Sequence, residues 1–93
     1  MKTVYKFELS LASQGQDVWI PRDATVLRIA IQHGRLMLWA LVRPDNSRCV
    51  RSFIVYATGQ PIGDDDVAHN QYVGTAITKD GDHVWHVFER VVK

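Results

Sequence analysis

Apolar residues in this chain recur at every second position, in short runs cut by Gly, Pro, Asn and Asp, and almost nowhere at helical spacing. A period of two sends alternate side chains to opposite faces of an extended strand, so the pattern selects sheets over helices. Tyr5, Phe7, Leu9 and Leu11 alternate with Lys6, Glu8 and Ser10, and Leu27, Ile29 and Ile31 alternate with Val26, Arg28, Ala30 and Gln32. In residues 50–57, Phe53, Val55 and Ala57 share one face, and Ile54 and Tyr56 the other. The tightest pairings are 24–32 with 36–42 around His33-Gly34, and 71–78 with 84–92 around Asp80-Gly81. His33-Gly34 suits a type I′ hairpin, in which both central residues take positive φ. Ser13-Gln14-Gly15-Gln16 reads as a turn, and Pro21-Arg22-Asp23 as a corner. The pattern predicts an all-β fold of six to seven mainly antiparallel strands, a sandwich or a partly open barrel. At most one short helix is expected, near residues 64–70 and capped by Asp64 or Asp65.

A chain of 93 residues supports one modest core, so residues 1–93 are expected to form a single β domain. Its 46% hydrophobic and 23% charged content is that of a globular chain and argues against disorder. The net charge of +1, from 11 basic and 10 acidic residues, supplies no strong pull towards nucleic acid or a membrane surface. Cys49 stands alone, which excludes an internal disulfide, suits a reducing compartment and reads as a buried, inert thiol. Lys2 and Lys6 interrupt any signal-peptide run, and the apolar stretch 36–42 is far too short to span a bilayer. The expectation is a cytoplasmic protein with no membrane partner.

The polar clusters are weak as chemistry. Asp64, Asp65, Asp66 and His69 are the densest potential ligands, yet three consecutive carboxylates rarely converge on one ion. Gly59-Gln60-Pro61-Ile62-Gly63 lacks the Gly-Lys-Ser/Thr ending of a phosphate loop. His83 and His86, at odd spacing, point to opposite faces of a regular strand. No Ser or Cys nucleophile sits in a recognisable elbow, so neither enzymatic activity, nor a metal, nor a cofactor is expected.

Binding readings remain. Stretch 58–70 is long for so small a domain and acidic, and loops held on rigid strands commonly carry recognition. Asp64, Asp65, Asp66, Gln60 and His69, with Trp19 and Trp85 as exposed aromatics, form the candidate partner-binding set. Residues 36–42 are apolar on both faces, which leads to the expectation of a twofold homodimer. The alternative is single-strand nucleic-acid binding through Arg43, Arg48 and Arg51 beside Trp39, Phe53 and Tyr56.

Thr3-Val4-Tyr5-Lys6-Phe7, Ile20-Pro21 with Val26-Leu27, and Leu38-Trp39-Ala40-Leu41-Val42 match one family in sequence order. So do Tyr56-Ala57-Thr58-Gly59-Gln60-Pro61-Ile62, Tyr72-Val73-Gly74-Thr75 and His86-Val87-Phe88-Glu89. Together they resemble a family of small proteins carried by tailed bacteriophages and prophages. The resemblance brings no catalytic or binding motif to carry over. It implies a phage gene product and nothing more specific. Such a product, small and without visible chemistry, is expected to act in the cytoplasm of an infected host by binding a host or phage protein, as an inhibitor, counter-defence or accessory factor. A minor structural component of the virion is a further alternative.

Overall fold

The period-two segments become strands in the computed structural model, which describes residues 1–11 and 15–91. These are β1 (Thr3–Leu9), β2 (Gln16–Pro21), β3 (Thr25–Gln32), β4 (Arg35–Val42), β5 (Arg48–Ala57), β6 (Asn70–Ile77) and β7 (Val84–Arg90), with one helix, α1 (Asp64–His69). The turn expected at Ser13 and Gln14, and Val92 at the end of the last strand, lie outside the described residues.

All strand pairs are antiparallel and form two sheets, β1-β4-β3 and β2-β5-β7-β6. The ladders stay separate, so there is no closed barrel, and the architecture is that of a sandwich or partly open barrel. The core fills the space between them: Leu36, Leu38, Ala40 and Val42 from β4 meet Val18 and Ile20 from β2, Phe53 and Val55 from β5, and Val87 from β7. Each fully buried large aliphatic or aromatic side chain contributes about 1.5–3 kcal/mol of transfer free energy. Cys49 is half-buried against this core.

The hairpin between β3 and β4 turns on His33 (φ 51°) and Gly34 (φ 75°), the conformation its sequence demanded. The β6–β7 connection falls around Asp80-Gly81 as expected, one residue longer than the gap left between 71–78 and 84–92. It is a loop over residues 78–83, closed by the Thr78 amide donating to the His83 carbonyl at 2.9 Å and the Gly81 amide to the Thr78 carbonyl at 2.8 Å.

Two bulges reshape the expected faces. Val26 pairs with Ala40 but Arg28 already pairs with Trp39, so Leu27 is the extra residue. The expected apolar row Leu27, Ile29, Ile31 is therefore corrected to Val26, Ile29, Ile31, and Leu27 is left exposed. In β6 the register shifts between Tyr72 and Gly74, with Val73 as the extra residue. β3 and β6 lie against each other where the two sheets converge.

β5 and β6 both run antiparallel to β7 and so run parallel to each other, with β7 between them. The chain must cross the sheet over residues 58–69 to make that connection, and α1 lies in the crossover. The expected helix is present, but its cap is Gly63 (φ −63°, ψ 149°), with no side-chain cap bond. Asp64, Asp65 and Asp66 occupy the first turn instead, where carboxylates favour the positive end of the helix dipole.

Candidate functional site

The crossover belongs to the outer face of the β2-β5-β7-β6 sheet. Tyr56 pairs with His86 and Ile54 with Phe88, opposite in facing to the core pair Val55 and Val87. Phe88 lies edge-on to Tyr56 at 5.8 Å between centroids and edge-on to Tyr72 at 5.6 Å, so three rings make a continuous aromatic band across β5, β7 and β6. Tyr56 is buried although it stands on the outer face. That burial, followed by the negative charge of Asp66, raises its phenol above the ordinary tyrosine value.

A chain of polar groups borders the aromatic band. Thr58 Oγ1 lies 2.7 Å from His86 Nε2, His86 Nδ1 lies 3.1 Å from Thr75 Oγ1, and Thr75 Oγ1 lies 2.6 Å from the Tyr72 hydroxyl. It ties the first residue of the crossover to β7 and β6. Gln60 adds a second tie. Its Oε1 accepts from the Ala57 amide at 3.1 Å, and its own amide donates to the Ala57 carbonyl at 3.1 Å. At the other end the Val91 amide donates to the His69 carbonyl at 2.8 Å. Both ends of the crossover are therefore fixed to the sheet.

The candidate residues fall in different places. Asp64, Asp65 and Asp66 are exposed together on α1, beside Val67 at 61% exposure. His69 closes the helix, with Nδ1 2.6 Å from the Asp65 carbonyl oxygen. Gln60 is half-buried and engaged in shaping the turn rather than presented to a partner. Trp19 is 62% exposed on β2, opposite Val50, on the outer face that also carries the crossover. Trp85 is corrected. It shares the inward face of β7 with Val87, packs against the core and is half-buried, with His83 tilted over it at 6.2 Å.

The three arginines are not one cationic surface. Arg51 makes two bonds to Glu89, at 2.6 and 2.7 Å, and a third at 2.6 Å to the Ala24 carbonyl. The Glu89 hydrogen bonds raise its guanidinium pKa above the ordinary arginine value against the opposing effect of burial. Arg48 is exposed and donates to the Trp19 carbonyl at 3.0 Å. Arg43 is exposed in the turn between β4 and β5. Phe53 is buried in the core, and Tyr56 is enclosed under the crossover side of the sheet, so neither is a platform for bases.

Among the described residues no group of three or more His, Cys, Asp or Glu side chains is placed to hold a metal ion. No helix among them is long and apolar enough to cross a membrane. Fold and surface define a small two-sheet antiparallel β domain that carries an acidic helix on a tethered crossover. Over residues 1–93 the chain belongs to the DUF7352 family, described as a domain of unknown function. No curated protein and no solved structure matches it.

Proposed function

We propose that this domain is a protein-binding module, acting by occupying a surface of another protein rather than by catalysis. The observation that carries the reading is α1: three adjacent carboxylates and an exposed Val67, held on a crossover fixed to the sheet at both ends. A tethered segment loses less conformational entropy on binding than a free loop does, so more of its contact energy appears as affinity. The carboxylates steer encounter with a basic surface, and Val67 supplies an apolar contact once there. The phage resemblance supplies the setting, in which the partner is a host or phage protein and the outcome is inhibition, counter-defence or assistance during infection.

The test is affinity capture from host and infected lysates with the wild-type domain and with Asp64→Asn, Asp65→Asn and Asp66→Asn combined. One recovered protein, lost with the triple variant and weakened by salt, supports the reading. Recovery of no protein by the wild-type domain sinks it. Equal recovery by the triple variant removes the acidic helix as the contact.

A further inference from the structure

We infer that the outer face of the β1-β4-β3 sheet is a docking site for an acidic peptide segment of a partner protein, a segment that seats an apolar side chain on Trp39 between two carboxylates. This rests on the protein-binding reading and gives it a second surface with its own chemistry.

β4 is apolar on both sides. Leu36, Leu38, Ala40 and Val42 go to the core, leaving Met37, Trp39 and Leu41 facing out. The crossover and its helix lie on the other sheet. Here Val4 and Leu27 remain 50% and 52% exposed, and with Arg28, Ala30 and Trp39 they line a groove of about 440 Å³. The bulge is what puts Leu27 there, since without the extra residue its side chain would turn inward.

Charge decides the occupant. The strand register sets Lys6 opposite Trp39 on one side and Arg28 opposite Trp39 on the other, so the middle row of the face reads Lys6, Trp39, Arg28. The Lys6 ammonium reaches across β4 to donate to Gln32 Oε1 at 2.9 Å, which leaves it without a carboxylate. Glu8 is the face's one acid among the described residues, and Arg35 takes it at 3.0 Å. Two cations about an indole remain uncompensated.

That row opposes a second copy packed face to face. A twofold axis along the strands would bring Lys6 over the other copy's Arg28, and an axis across them would bring each cation over itself. Like charges meet in both arrangements. Single-stranded nucleic acid suits the cations, but base stacking needs flat rings, and Trp39 stands among Val4, Leu27, Met37 and Leu41. An acidic segment with an aliphatic or aromatic anchor satisfies both features. Arg28 offers a bidentate fork to a carboxylate, and Trp39 a large, rigid surface for the anchor.

The experiment is a nitrogen-15 NMR titration of the whole domain with a short capped peptide carrying a Leu-Phe pair flanked on each side by carboxylate residues. The expected result is a dissociation constant of about 100 μM at low salt, weakening with salt, with shifts concentrated on β1, β3, β4 and the Trp39 indole. Combined Lys6→Glu and Arg28→Glu should weaken it by about tenfold or more, while circular dichroism and melting confirm the fold. A Trp39→Phe variant, which keeps an aromatic anchor, should retain part of the affinity. Equal binding of a peptide with lysines in place of its carboxylates overturns the proposal. So do shifts confined to the other sheet, tighter binding of oligo-dT at this face, or sedimentation showing two copies joined through it. Failure here is distinct from failure of the broader reading. If Lys6→Glu/Arg28→Glu still captures the lysate partner, the interaction stands and this site does not.

Discussion

A methyl group on Gly74 would lie 3.1 Å from Ile29 Cγ1 and 3.2 Å from Ile29 Cβ, closer than side chains pack without a neighbour moving. Ile29 is buried on β3 and Gly74 immediately follows the β6 bulge, so the pair marks where the two sheets converge. The nearest atom, Cγ1, can swing aside, but the Cβ of Ile29 behind it cannot move without its backbone.

Gly74→Ala should therefore destabilise the domain by about 1–3 kcal/mol through overpacking. Urea unfolding measures it as a lower midpoint with an unchanged slope. In an Ile29→Ala background the same change should cost less, because the nearest side-chain atom is gone. Additive losses in that double-mutant cycle would show that the two sheets do not press together at this point.

A second stitch between the sheets is Arg51. It holds Glu89 on the neighbouring strand by two bonds and the Ala24 carbonyl at the entrance to β3 by a third, with side-chain exposures of only 24% and 18% for the ion pair. Arg51→Lys keeps the charge but cannot hold three acceptors with the same geometry, and should lower stability by about 2 kcal/mol. A loss below about 0.5 kcal/mol would place the pair with ordinary surface ion pairs.

These two contacts also show where sequence reading stops. Alternation survives in the chain because one face of each strand is buried, so strands, the type I′ turn and the short helix were legible. The bulge at Leu27 was not, since Val26 and Leu27 are both apolar and the phase of the alternation is ambiguous at that point. Trp85 was placed with Val87, but which face of β7 met the core depended on the partner sheet. Arg51 read as a free cation because its partners, Glu89 and Ala24, are remote in sequence. The row Lys6, Trp39, Arg28 depends on two strand registers and appears only when both are known.

Acid should loosen the β6–β7 loop before it affects the core. The Asp80 carboxylate accepts from the Thr78 hydroxyl at 2.6 Å and from the Asp82 amide at 3.0 Å, and these bonds, the first above all, hold its pKa below the usual aspartate value. A depressed folded-state pKa means stabilisation that is fully present above the unfolded value, about 4, and lost as pH falls through the lower folded value. Amide protection in 78–83, taken relative to the intrinsic exchange rate at each pH, should therefore fall on acidification in the wild-type chain. In Asp80→Ala protection should be low throughout, and the two should converge at the lowest pH. A wild-type loop that grows more protected as pH falls would reverse the sign and remove the argument.

The last expectation concerns the tether of the acidic crossover. His86 bridges Thr58 and Thr75 through its two ring nitrogens, and Tyr72 extends the chain to the aromatic band. A neutral imidazole donates from one nitrogen and accepts at the other, so one threonine hydroxyl must donate to it while the other accepts. His86→Phe preserves ring bulk beside Tyr56 but removes both bonds, each worth about 1 kcal/mol net. The cost should appear locally, because Thr58 and Gln60 hold the start of the crossover through the backbone contacts Thr58 amide to Val84 carbonyl and Gln60 amide to Ala57 carbonyl. Hydrogen exchange at Thr58 and Gln60 should accelerate by about tenfold while core amides at Phe53, Val55 and Val87 change far less. Uniform acceleration across all of them would mean that His86 supports the whole sheet and that the crossover has no separate tether. If the local pattern holds, the same variant should weaken capture of any partner that depends on Asp64, Asp65 and Asp66, because the helix would then be ordered at the expense of binding.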